Sequence, residues 1–210
     1  MVTETDLYKK RWFLLFKGKT QEEKALRLYE MLWEKYGEKH RAYHNFKHVT
    51  SCLMHFDRVK DQLADPCSVE FALWFHDVIY GPQSSKNEEK SAEFAAQELS
   101  DLRLDQTMIR QVERMILVTK HPCIPTSEDE KYVIDIDLTI LGASPHIFME
   151  YESNIRREYK WVPSILYKRK RVEVLRSFLA QDRIYQTAFF CWQYEQIARE
   201  NLEKSIKSLL

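Results

Sequence analysis

Val69-Glu70-Phe71-Ala72-Leu73-Trp74-Phe75-His76-Asp77-Val78-Ile79 is the stretch on which the fold turns. Phe71, Ala72, Leu73, Trp74, Phe75, Val78 and Ile79 leave it apolar almost all round. A helix without a polar face lies at the centre of a fold rather than on its surface. The expected helix covers Val69 to Ile79, and His76 and Asp77 then sit inside it, buried. An adjacent His-Asp pair between two apolar runs is hard to account for as ordinary core. Alone, it also fits a buried ion pair capping a helix end.

The rest of the chain supports helices on either side. Only four glycines and six prolines occur in 210 residues, so chain breakers are few. Thr20 to Tyr36 carries Ala25, Leu28, Tyr29, Leu32, Trp33 and Tyr36 on one face at helical spacing. Thr20 with Glu23 reads as a capping box, and Gly37 as the stop. A shorter helix over Leu7 to Phe16 precedes it. Further helices are expected from Asn45 to Leu63, ended by Asp65-Pro66, and from Ser85 to Leu99, opened by a Ser85–Glu88 capping box. Others cover Asp105 to Lys120, Glu128 to Leu141 closed by Gly142, Ser144-Pro145 to Tyr159, Ser164 to Ala180 and Thr187 to Leu209. Tyr132 to Ile136, rich in β-branched residues, is also compatible with extended structure. Trp12, Trp33, Trp74, Trp161 and Trp192 read as core anchors. The expectation is one all-α domain over residues 1–210, with helices in 1–40 packing on the core.

Composition excludes several classes. Hydrophobic residues make up 44%, enough for a packed core. Lys+Arg and Asp+Glu both number 32, which argues against a dedicated nucleic-acid binder, although a local basic patch can still hold a phosphate. No run of about 18 apolar residues occurs, so no membrane span is expected. Met1 to Lys10 is polar and does not resemble a signal peptide. Cys52, Cys67, Cys123 and Cys191 form no CxxC pair and read as reduced thiols of a cytoplasmic protein.

The His-Asp pair has companions. Tyr43-His44-Asn45 is followed by His48, and Ile136-Asp137-Leu138 comes later. Imidazoles and carboxylates together hold divalent metals of mixed N/O preference. His44 and His48 share a face if both are helical. His76 and Asp77 lie about 100° apart on a helix and reach one ion only above the edge between them. Asp135 and Asp137 point about 200° apart, so at most one faces the ion. Asp137, followed by Leu138, Ile140 and Leu141, is the better candidate, and Asp135 is expected to be solvated or salt-bridged. His48, Cys52 and His55 at i, i+4, i+7 mimic a zinc site, but Cys52 and His55 fit core and surface positions as well. His121, at a helix end before Pro122, suits the helix dipole, and it is also a candidate to line a pocket or hold a second ion.

This order of motifs resembles the HD superfamily of metal-dependent phosphohydrolases. Tyr43-His44-Asn45 with His48 is also similar to the opening motif of cyclic-nucleotide phosphodiesterases, though the chain is shorter and lacks their extended second metal motif. Asn87-Glu88 with Ser91-Ala92, Asp137-Leu138 with Leu141-Gly142, and Ile155-Arg156 with Glu158-Tyr159 resemble a bacterial subfamily of predicted HD phosphohydrolases, from about Trp12 to Leu202.

The resemblance implies an HD-type helical bundle with His48, His76, Asp77 and Asp137 as metal ligands and His44 as general acid. It implies hydrolysis of a phosphomonoester or phosphodiester, a nucleotide among the candidates, by metal-activated water. Glu88 is a candidate to orient the water or accept its proton, besides capping its helix. Asn87, Lys120 and Arg156 are candidates to hold the substrate, as is the Lys168 to Arg171 run, which otherwise reads as a solvated helix face. The donor set suits Mn²⁺, Fe²⁺, Co²⁺, Ni²⁺ or Zn²⁺, and Mg²⁺ less well. Two other classes share such a scaffold: a di-iron oxygenase-type enzyme and a non-catalytic metal- or nucleotide-binding module.

Overall fold

The structure, a computed structural model, describes residues 4–120 and 123–210. It is all-α, with ten α-helices and two 3-10 helices and no strand among the described residues. Tyr132 to Ile136 is helical. The chain divides into two compact units, Met1–Val133 and Ile134–Leu210.

The first unit contains α1 (Glu4–Leu15), α2 (Glu22–Tyr36), α3 (Phe46–Asp57), a 3-10 turn (Lys60–Gln62), α4 (Pro66–Phe75), α5 (Asn87–Asp101), α6 (Gln106–Leu117) and the start of α7 (Glu128–Asp137). The apolar stretch forms α4, which packs against α3, α5 and α6. Trp12 and Trp74 are fully buried and meet edge to face with ring centroids 5.1 Å apart. The Trp12 indole donates to the Ala25 carbonyl at 2.7 Å, which satisfies its polar edge inside the core. Trp33, Trp161 and Trp192 are not core anchors, at 42%, 53% and 88% exposed.

Several boundaries differ from the sequence expectation, each for a local reason. α3 stops at Asp57, and the chain continues as the short 3-10 turn rather than as helix to Leu63. Asp65-Pro66 opens α4: the Asp65 carboxylate accepts from Ser68 N at 3.0 Å, and Pro66 takes the first turn. Neither expected capping box forms. α2 begins after Gln21, one residue too late for the Thr20 hydroxyl. α5 begins after Lys86, because Ser84 Oγ accepts from Lys86 N and holds that residue in the preceding turn. Glu88 is therefore a first-turn residue and not a cap.

α4 ends at Phe75, so His76 and Asp77 lie at and just beyond its C-terminus rather than inside it. Helix ends leave carbonyls without N–H partners. Here side chains take them: His76 Nδ1 donates to Leu73 O at 3.0 Å and the Tyr36 hydroxyl to Trp74 O at 3.0 Å. The Arg41 guanidinium donates to Asp77 O at 2.7 Å and Val78 O at 2.8 Å.

The second unit holds the end of α7, a 3-10 turn (Leu138–Gly142), α8 (Pro145–Glu158), α9 (Ser164–Leu179) and α10 (Ala188–Leu209). Ser144-Pro145 starts α8 as expected, although the Ser144 side chain makes no capping bond. Asp135 is fully buried, not solvated. It accepts from Gln186 N, Thr187 N and Thr187 Oγ1, each at 2.7 Å, while Thr187 itself caps α10 through Phe190 N. Burial outweighs these bonds and pushes the Asp135 carboxyl up to about 6.

α10 packs on the Leu138–Gly142 turn and on α9. Asn201 Nδ2 donates to Leu141 O and Ala143 O, both at 2.9 Å. A Cβ on Gly142 would stand 2.6 Å from Tyr194 Cβ and 2.8 Å from Tyr194 O. Gly142→Ala is therefore expected to cost about 2 kcal/mol by overpacking. Urea unfolding checks this, and an unchanged midpoint would show that the turn yields freely.

Candidate metal centre

His48 stands in the first turn of α3, where Asn45 caps the helix by accepting from Lys47 N at 2.9 Å. His76 follows the last turn of α4, and α3 packs on α4. This brings two imidazoles from distant sequence together: His48 Nε2 and His76 Nε2 are 3.0 Å apart, and both rings are buried. Asp77 Oδ2 lies 3.5 Å from His48 Nε2 and 3.3 Å from His76 Nε2.

The tautomer of His76 follows from its partner. A carbonyl oxygen only accepts, so Nδ1 facing Leu73 O carries the proton and Nε2 presents a lone pair. A backbone carbonyl on the far ring nitrogen is the arrangement that orients metal-binding histidines.

The three facing atoms form a triangle with edges of 3.0, 3.3 and 3.5 Å. An ion about 2.1 Å from each donor holds cis ligands about 3.0 Å apart at a right angle and about 3.4 Å apart at the tetrahedral angle. The residues therefore fit a divalent ion in both chemistry and spacing.

Cys52, one helical turn after His48, adds a donor that the motif pattern lacks. Its Sγ lies 3.8 Å from both ring nitrogens of His48, and the donor atoms of His48, Cys52 and His76 all lie within 4.8 Å of one another. The sequence signal was the i, i+4 spacing from His48. His55 lies on the same helix, and burial lowers its imidazole to about 4, with Arg58 adding to the effect. The folded state thus binds this proton less readily than the unfolded chain. Stability owed to neutral His55 is present above about 6.5 and is lost as the pH falls toward 4. His55→Asn is expected to flatten that part of the acid-unfolding curve, and identical curves for variant and parent would contradict it.

Charge gathers around Asp77. Burial pushes its carboxyl up, but the imidazoles of His76, His44 and His48 outweigh burial and hold it well below its ordinary value. His44 precedes α3 rather than sharing its face with His48. Its ring stacks on Tyr80 with centroids 4.2 Å apart and lies 6.2 Å from the His48 ring. Glu88 is half-buried, and burial raises its carboxyl, with Asp77 adding and Lys120 opposing.

Other sequence candidates have local partners. The Asn87 amide accepts from Gly81 N at 3.1 Å and donates to Gly81 O at 3.2 Å, clamping the loop between α4 and α5. Lys120 donates to Ser85 O at 2.9 Å and to Glu89. In the second unit, Arg156 donates to Tyr159 O at 2.6 Å and Val162 O at 3.0 Å, closing the end of α8. Arg169 and Lys170 pair with Glu173 on an exposed face, whereas the largely buried Arg171 pairs with Glu152 and donates to the Tyr151 hydroxyl at 2.9 Å. Asp137 ends α7, half-buried, in the second unit, where its charge adds to the burial that raises the Tyr151 phenol. His121 lies outside the described residues.

Arg41 and Tyr80 had no sequence signal. Arg41 carries no periodicity or motif role, and Tyr80 precedes the Gly81-Pro82 break, where a loop residue was expected. Compared with known proteins, the chain matches no family model, no curated protein and no solved structure.

Proposed function

We propose that the chain is an HD-type metal-dependent phosphohydrolase that cleaves a phosphomonoester or phosphodiester, with nucleotides in that class. The observation that carries this reading is the triangle of His48 Nε2, His76 Nε2 and Asp77 Oδ2. Two imidazoles and a carboxylate at ion-holding spacing, beside a third imidazole, are the parts such a reaction needs. Asp137 is proposed as a further ligand on the sequence pattern alone.

A divalent ion held there supplies Lewis acidity for a phosphoryl oxygen and makes water more acidic. Fe²⁺, Co²⁺, Ni²⁺ and Zn²⁺ suit the donors, and the nearby Cys52 thiol weighs against Mn²⁺ and Mg²⁺. His44, whose ring lies 6.2 Å from the His48 ring between centroids, is the residue proposed to protonate the leaving oxygen, a role worth about 10²–10⁴-fold. Glu88, with its raised carboxyl, is suited to take a proton from water. The substrate is a small phosphorylated molecule. Four cysteines outside any disulfide fit a reducing compartment, the cytoplasm. No helix among the described residues is long and apolar enough to cross a membrane.

The test is release of phosphate, nucleoside or chromophore from mono- and diesters, nucleotides and cyclic nucleotides, with each metal in turn. Hydrolysis of at least one ester is expected, with a loss of more than about 100-fold in Asp77→Ala. Equal rates in the variant would overturn the reading. Metal binding without turnover of any ester would favour a binding module instead.

A further inference from the structure

The Arg41 side chain is 0% exposed, and a guanidinium is costly to bury. Its Nε donates to Glu38 Oε2 at 3.0 Å, and that carboxylate is 37% exposed. The remaining bonds go to backbone carbonyls of two separate segments. Nη1 donates to His44 O at 2.9 Å and to Asp77 O at 2.7 Å, and Nη2 to Val78 O at 2.8 Å. The guanidinium carbon lies 5.2 Å from the centroid of the Tyr36 ring and 5.5 Å from that of Tyr80. The same Tyr80 carries the stacked His44 ring.

One nitrogen therefore bridges the backbone of His44 to the backbone of Asp77. The Tyr80 ring contacts both the bridge and the His44 side chain. A planar fork sets distance and angle together, which an ammonium on a flexible stem does not. A buried ion pair is weak evidence for stability, and the bonds of this one tie two separate backbone segments together.

We propose that Arg41 is a positioning residue that locks the His44 segment to the Asp77 segment and so sets His44 against the metal centre. The proposal rests on the functional reading above for what His44 does. It does not rest on it for where His44 is held.

The first test needs no substrate. The ring of His44, stacked on Tyr80, should show an upfield-shifted imidazole resonance in histidine-labelled, metal-free protein, assigned with His44→Gln. In Arg41→Lys and Arg41→Gln that displacement is expected to collapse while circular dichroism still shows the helical fold. Arg41→Lys keeps the charge and most of the stem, so it is the variant expected to fold. A His44 resonance unmoved in a folded variant would overturn the proposal.

The second test uses bis(4-nitrophenyl) phosphate with Co²⁺. Arg41→Lys is expected to lower kcat about 100-fold with KM unchanged, the scale of a small misplacement. Combined with His44→Gln, it should add no further loss, because both changes remove the same contribution. Losses that multiply would show that Arg41 acts on stability or metal instead. Cobalt stoichiometry is measured throughout and should stay intact in Arg41→Lys. Asp77→Ala runs in parallel: metal retained there would sink the functional reading and leave the resonance result standing.

Discussion

Alanine in place of His76 is expected to lower divalent-metal affinity by more than about 100-fold, and with it the hydrolysis proposed above. Leu73 O accepts the Nδ1 proton of His76 and turns its Nε2 toward His48. Without that ring, only His48 and Asp77, 3.5 Å apart, remain of the triangle, with the Cys52 thiol beside His48, a poorer donor set for a divalent ion. The imidazole is 1% exposed, so the variant also leaves a polar cavity, and a modest drop in Tm should accompany the loss. Calorimetric titration with Zn²⁺ reads the affinity directly. His55→Asn is the control: it removes a histidine from the same α3 helix that bears His48 and should leave the affinity unchanged. Affinity retained in the His76 variant would mean that the ion binds elsewhere.

The second large effect is on folding. Asp135→Ala is expected to cost about 3 kcal/mol, because it strands two backbone N–H groups and one hydroxyl inside the protein. Those donors belong to Gln186 and Thr187, and Thr187 opens α10. The loss should therefore reach the helix that packs on the Leu138–Gly142 turn and on α9. Urea unfolding followed by circular dichroism measures it. A change below about 1 kcal/mol would mean that water replaces the carboxylate without strain.

The helical character was legible because it depends on local pattern. The apolar run at Phe71 to Phe75 became the central helix, and Thr187, Pro145 and Gly37 bounded their helices as their chemistry suggests. The helix ends that differ from the sequence expectation share a cause. α4 stops where Tyr36 supplies a partner for the Trp74 carbonyl and Arg41 for the carbonyls of Asp77 and Val78 just beyond, and those side chains arrive from 36 to 38 residues away. No local signal announces such a stop. The burial of Asp135 has no local signal for the same reason, since its donors come from 51 and 52 residues downstream.

The candidate centre was legible in part. His48, His76 and Asp77 were identified by residue type and order, and the structure brings these three together. Cys52 is ambiguous in sequence, because one cysteine a turn after a histidine fits a core position as well as a ligand. Arg41 left no trace: a buried arginine looks like any surface arginine until its carbonyl partners are in place. Asn87 and Arg156 show the converse, with side chains that looked available for substrate closing a loop and a helix end.

The most direct test of the metal centre is anomalous X-ray diffraction from crystals grown with Zn²⁺, measured on both sides of the zinc edge. A peak is expected about 2.0–2.2 Å from His48 Nε2, His76 Nε2 and an Asp77 carboxylate oxygen. An empty site, with the two imidazoles hydrogen-bonded to each other at full zinc concentration, would contradict it.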